Sequence, residues 1–221
     1  MSKNRVNIND GMLYTFYERG FERTVRKEGV PPSIDVMIKD TPSGTPGKWS
    51  LYIPDYHESP PAGEYVFPEV VYLDIPASYK IAFDFLGLEH GVRIVSEVML
   101  FFLKEQGITK GYEVANAIIV NRKGEKIETD KNYFALRFYE FDDNLIDFND
   151  GRDPKSNYRG KRDVFKICPN MRIKDGVFKE ILVLECDIYR DTFVFTENIK
   201  GAIEKKGFIT AEISPIGKPK N

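Results

Sequence analysis

Two histidines, two cysteines and a crowd of carboxylates are the side chains in this sequence best equipped for chemistry. His57 and His90 stand in predicted turns, in DYHES and LEHGV, far apart along the chain. Cys168 and Cys186 fit no CxxC metal or redox spacing, and two thiols in a chain of this length are not a disulfide framework. A Cys–His dyad needs thiolate and imidazole within hydrogen-bond reach, and nothing in the spacing brings them together. The Asp142-Asp143 pair could hold a metal or do acid–base work, but neighbours on a strand point to opposite faces unless the chain turns there. The Gly47-Lys48 pair suggests a phosphate loop and fails the pattern: Pro42 stands where the first glycine belongs and Trp49 where the Ser/Thr belongs. HExxH, GxSxG and the glycine-rich dinucleotide fingerprint are all missing. The expectation is a protein without catalytic residues, cofactor or metal.

Charge is more informative than reactivity. Residues 140–163 are split into an acidic half, with Glu140, Asp142, Asp143, Asp147, Asp150 and Asp153, and a basic half, with Lys155, Arg159, Lys161 and Arg162. Leu145 to Phe148 reads as a short strand inside an otherwise aperiodic, exposed loop. A second basic cluster, Arg19, Arg23, Arg26 and Lys27, would share a face if 18–28 is a short helix. Solvated faces account for these clusters most simply. A nucleic-acid or ligand-binding module using the basic groups is one alternative, and an enzyme with a carboxylate-built site is another.

The elements that must position these residues are legible at the C-terminal end. Residues 191–216 read as strand, helix, strand: aromatic strand-formers around Val194, then Thr196 at the N-cap position and Glu197 in the first turn. Ile199, Ala202 and Ile203 form the apolar face, and Gly207 is the stop. Residues 93–114 repeat the unit, with Ser96, Glu97 and Gly107 matching Thr196, Glu197 and Gly207 position for position. The first helix carries Val98 to Leu103 without a polar interruption, so it is expected to be central and buried on most faces, with the C-terminal helix nearer the surface. Further strands are expected in 11–21, 33–38, PEVVYLDIP, KIAFDFLGL and EILVLECDIY, with a long-tipped hairpin over 112–120 and 132–141. The fold class is α+β: mixed or antiparallel sheets with a few helices, in pseudo-duplicated strand-helix-strand units. The Pro- and Tyr-rich stretch 54–68 is the clearest composition break. It suggests an N-terminal region over 1–74 packed on a body over 75–221, or one domain over 1–221.

At 42% hydrophobic and 30% charged, the 221 residues suit a folded globular protein with a sizeable core. A formal net charge of −2 argues against a dedicated nucleic-acid binder. The N-terminal MSKNRVNIND lacks a signal-peptide apolar core, and the longest apolar run, VMLFFL at 98–103, is far too short for a bilayer. A cytoplasmic protein with no membrane or nucleic-acid partner is expected.

The order KIAFDFLGL, VRIVSEVMLFFLKEQGI, NYFALRFYEFDDNLIDF, VFKEILVLE and DTFVFTENIKGAIEKKGFITAEISPI resembles the immunity proteins of bacterial polymorphic toxin systems, family 43 and the related family 11. The resemblance covers about residues 75–216 and consists of structural residues, not a catalytic signature. It implies a non-enzymatic protein that binds and neutralises a cognate toxin domain in the cytosol. Such a binder needs exposed aromatics and a complementary charge pattern. The acidic segment beside an aromatic strand makes Tyr139, Glu140, Asp142, Asp143, Asp147 and Asp150 the candidate toxin-binding residues, mimicking the phosphates that a basic nuclease expects.

Overall fold

The computed structural model describes residues 12–17, 28–31, 36–43, 66–88, 92–148, 157–158, 161–162, 171–188, 191–210 and 212–216. The chain forms two compact units: a terminal unit of Met1–Tyr17, Phe141–Lys206 and Ile213–Asn221, and a central unit of Glu18–Glu140 and Gly207–Glu212.

The terminal unit begins with β1 (Leu13–Tyr17), and the central unit with β2 (Met37–Lys39), β3 (Val70–Asp74), β4 (Phe85–Gly87) and β5 (Val92–Ser96). Helix α1 (Glu97–Glu105), β6 (Tyr112–Val120) and β7 (Tyr133–Phe138) complete the central set. Its six strands lie in the order β2-β3-β6-β7-β5-β4. Only β3 and β6 run parallel; the other neighbours are antiparallel. The strands form from runs rich in Val, Ile and aromatic residues; β4 and β5 are buried at every position, while β6 alternates. On β6, Ala115, Ala117 and Ile119 turn into the core while Val114 and Asn116 stay exposed. That core gathers Val71, Leu73, Phe83, Ile94, Ala115, Ile119 and Ala135. The expected β6–β7 hairpin is present. At its tip the Asn121 side-chain oxygen accepts from the N–H groups of Lys123 (2.9 Å) and Glu125 (3.1 Å), and Gly124 takes a φ of 82°.

The terminal unit continues through a 3-10 turn (Asp143–Leu145), β8 (Ile146–Phe148), β9 (Asn157–Tyr158), β10 (Lys161–Arg162), β11 (Met171–Ile173), β12 (Ile181–Ile188) and β13 (Asp191–Thr196). Helix α2 (Glu197–Lys206) and β14 (Glu212–Ile216) close the chain. Its main sheet has the order β12-β13-β1-β14, with β8–β11 and β9–β10 as separate antiparallel pairs. Leu13, Ile146, Ile173, Leu182, Leu184, Val194 and Ile216 form one cluster, and Phe16 packs its ring against Phe193 and Phe195.

The expected duplication is visible in the topology. Read from its edge, the central sheet runs β4-β5-β7-β6, and the terminal one β12-β13-β1-β14. In each, an antiparallel hairpin leads into a helix, and the strand after the helix lands two places from the strand before it. The intervening strand comes from later in the chain in one copy (β7) and from its beginning in the other (β1). Gly107 and Gly207 both take positive φ, 94° and 68°, where each helix stops.

Several expectations change. Of the strand expected over 33–38, the structure shows β2 at Met37–Lys39, and residues 33–35 lie outside the described residues. β3, which ends at Asp74, is paired with β6 further along the chain. Helix α1 is not buried on most faces: Met99, Leu100, Phe102 and Leu103 are buried, but Val98 and Phe101 are 55% and 57% exposed. A helix resting on a sheet is covered on one side only, even where its sequence is apolar all round. His57, His90, Cys168, Asp150, Asp153, Lys155, Arg159, Arg19, Arg23, Arg26 and Lys27 lie outside the described residues, as does the Cys186 side chain.

Candidate functional site

The acidic segment starts at the end of the central unit. Past β7 the chain bends around Gly111, whose carbonyl accepts from the N–H groups of Tyr139 (2.9 Å) and Glu140 (3.1 Å). Gly111 has a φ of 82°, and a Cβ there would lie 2.7 Å from the Glu140 Cβ, so only glycine permits this approach. The bend leaves Tyr139 49% exposed, and the Glu140 carboxylate lies 3.8 Å from the Lys110 ammonium at the surface.

The next residues belong to the terminal unit, where the carboxylates have separate tasks. Asp142 is half-buried and pins the 3-10 turn to β12. Its carboxylate accepts from Lys179 Nζ at 2.5 Å and from the Val183 N–H at 2.9 Å, while its own N–H donates to the Val183 carbonyl at 2.7 Å. Asp143 opens the turn and is partly exposed. Asp147 on β8 faces Arg172 on β11, whose Nε and Nη2 both donate to one carboxylate oxygen at 3.0 Å. Ile146 and Ile173 point the other way, into the core, as the two-residue period of a strand requires. Among the described residues no group of three or more His, Cys, Asp or Glu side chains is placed to hold a metal ion.

A carboxylate that sequence reasoning passed over is the most deeply engaged one. Asp84, just before β4, is almost fully buried. One oxygen accepts from Ser96 Oγ (2.6 Å) and Lys131 Nζ (2.8 Å), the other from the Ile209 N–H (2.9 Å). Ser96 in turn caps α1, accepting from the Met99 N–H at 3.3 Å. A buried charge is tolerable only when paired and hydrogen-bonded, and here the protein itself supplies all three donors. The arrangement is therefore architectural: each carboxylate oxygen is held by the protein's own donors. The lone acid in the apolar run KIAFDFLGL was the signal for it. Close by, the Tyr133 hydroxyl donates to the Phe83 carbonyl at 3.1 Å, and burial, then the Asp84 and Asp130 charges, push its pKa well above the ordinary tyrosine value.

The second helix start is built differently. Thr196, expected as the cap of α2, has a buried hydroxyl with no hydrogen-bond partner among the described residues. Glu197 is instead held by the Tyr14 hydroxyl and by Lys200 Nζ at 3.2 Å. These donors, Tyr14 first, keep its carboxyl below the usual glutamate range, and the same bond raises the Tyr14 pKa.

Among the described residues no helix is long and apolar enough to cross a membrane. No curated protein matches the chain. A family model does match, described as Immunity protein 43, and it spans residues 22–218. With nearly the whole sequence inside that match, including both strand-helix-strand units and the acidic segment, the chain belongs to the Immunity protein 43 family.

Proposed function

We propose that this protein acts by binding: it neutralises a cognate bacterial toxin domain in the cytosol, as the protective half of a polymorphic toxin system, and turns over no substrate. Membership of an immunity protein family over residues 22–218 carries this reading. The carboxylate network at Asp84 is consistent with it, because both oxygens are engaged by the protein's own donors.

The residues proposed to face the toxin are Tyr139 and Glu140 in the central unit and Asp142, Asp143, Asp147 and Asp150 in the chain that follows. Tyr139 offers a half-exposed aromatic ring of the kind that anchors interfaces. Asp143 is partly exposed, and Asp147 lies at the surface paired with Arg172, so a basic group of the partner would share or displace that pairing. Asp142 contributes mainly by holding the turn in place through Lys179 and Val183.

The test combines co-expression of the neighbouring toxin gene with titration of the purified proteins at several salt concentrations. Tyr139→Ala and the charge reversal Asp143→Lys should each weaken neutralisation, and the charge reversal should also flatten the salt dependence. Asp142 and Asp147 are left intact because their loss would strand Lys179 and Arg172. Unchanged protection and unchanged salt dependence in folded variants would remove Tyr139 and Asp143 from the interface.

A further inference from the structure

Helices α1 and α2 are one design built twice, so each is a control for the other. Ser96 and Thr196, Glu97 and Glu197, and Gly107 and Gly207 occupy equivalent places, and each helix joins strands that lie two places apart in their sheet. On α2 the exposed positions hold Glu197, Asn198, Gly201, Glu204, Lys205 and Lys206, an ordinary polar surface. On α1 the exposed positions include Val98 where α2 has Asn198, and Phe101 where α2 has Gly201. Residues three apart on a helix are surface neighbours, so these two side chains form one apolar ridge. The fold does not require it, because α2 does without.

The ridge has a charged border. Glu97 is exposed at its N-terminal end, and the Lys104 ammonium lies 5.9 Å from the centre of the Phe101 ring. An aromatic and an aliphatic anchor at helical spacing, with polar flanks, is how a helix enters a groove on another protein. A second copy of this chain is a poor occupant. At 1.5 Å per residue the nine-residue helix is about 14 Å long, too short to supply by itself the roughly 800 Å² per partner of a stable dimer. A twofold centred on Phe101 would also set Glu97 against Glu105 of the other copy, carboxylate against carboxylate. A different protein is not bound by the twofold: it can add contacts beyond α1 and carry an apolar recess with a basic group beside it to meet Glu97.

We infer that the outer face of α1, with Phe101 and Val98 as anchors, docks into an apolar recess of the cognate toxin domain. This rests on the binding function proposed above and adds a contact surface apart from the acidic segment.

The experiment uses the full-length protein and a catalytically inactive form of the toxin domain encoded beside it. The double variant Val98→Asn/Phe101→Gln gives α1 a polar outer face like that of α2. Calorimetric titration should show at least tenfold weaker binding and cells should lose protection, with the thermal midpoint unchanged. Phe101→Ala alone should give a smaller loss in the same direction, and Lys205→Ala on α2 should give none. Binding at wild-type strength by the folded double variant would overturn the inference while leaving the immunity reading intact. A wild-type dimer that the double variant converts to monomer, seen by light scattering, would assign the ridge to a second copy and overturn it as well. Failure of the wild-type protein to bind the toxin domain at all would instead refute the immunity reading, and this inference with it.

Discussion

Tyr133 shows how burial of a single hydroxyl makes stability depend on pH. Its pKa is raised, first by burial and then by the nearby Asp84 and Asp130 carboxylates. A group whose pKa is higher folded than unfolded contributes stability fully below its unfolded value, near pH 10 for tyrosine, and loses it as pH rises towards the folded value. The protein should therefore weaken on the alkaline side above about pH 10. Tyr133→Phe keeps the ring that packs on Phe83 but removes both the hydroxyl and its bond to the Phe83 carbonyl. At neutral pH the variant should be about 1 kcal/mol less stable, the usual net worth of one such bond. Above pH 10 the gap to wild type should close or reverse, leaving the shallower decline due to Tyr14 and Tyr112, whose pKa values are also raised. Urea unfolding midpoints on both sides of pH 10 measure this. A gap that stays constant across that range would mean that Tyr133 ionises as easily folded as unfolded.

At the scale of elements, the paired helices separate what their sequences specify from what their surroundings decide. Ser96 and Thr196 look alike along the chain, yet Ser96 Oγ caps α1 and donates to Asp84, while Thr196 Oγ1 is buried without a partner among the described residues. Ser96→Ala should destabilise by about 1–2 kcal/mol, losing a cap and one donor to a buried carboxylate. Thr196→Val, equal in shape and free of the unsatisfied hydroxyl, should be neutral or slightly stabilising. Chemical denaturation of the two variants decides this; a comparable loss in both would mean that Thr196 is also a working cap. Helix ends were legible because Glu97, Gly107, Glu197 and Gly207 act locally on dihedrals and orphan amides. The strands β3, β6, β7, β12 and β13 were legible from β-branched and aromatic runs. Strand order was not, because nothing local in LYTFY says that β1 will lie between β13 and β14, whose residues are far away in the chain. The outward face of α1 was missed for the same reason: six apolar residues in succession have no period from which to choose a side. In the candidate site, the clustering of acids was plain, but not the partner each would find. Lys179 and Arg172 lie more than twenty residues from the carboxylates that they hold.

For the molecule as a whole, the question is whether protection is achieved by occupancy or by turnover, and stoichiometry separates the two. A binder must be present in at least equal numbers to what it blocks, whereas an enzyme acting on a toxin or its product would protect at a small fraction of that ratio. Titrated against a fixed amount of active toxin well above the dissociation constant, residual activity should fall linearly and reach its floor near one immunity protein per toxin. Binding only to the folded state also stabilises it, by about 2.7 kcal/mol at a free partner concentration one hundred times Kd. The unfolding midpoint of this chain should therefore rise with added inactive toxin and keep rising slowly past equivalence. The two measurements check each other, because a catalyst would neither need equal numbers nor draw such stabilisation from a partner that it releases. Complete protection at a tenth of an equivalent, with no shift in the midpoint, would replace the binding account with a catalytic one.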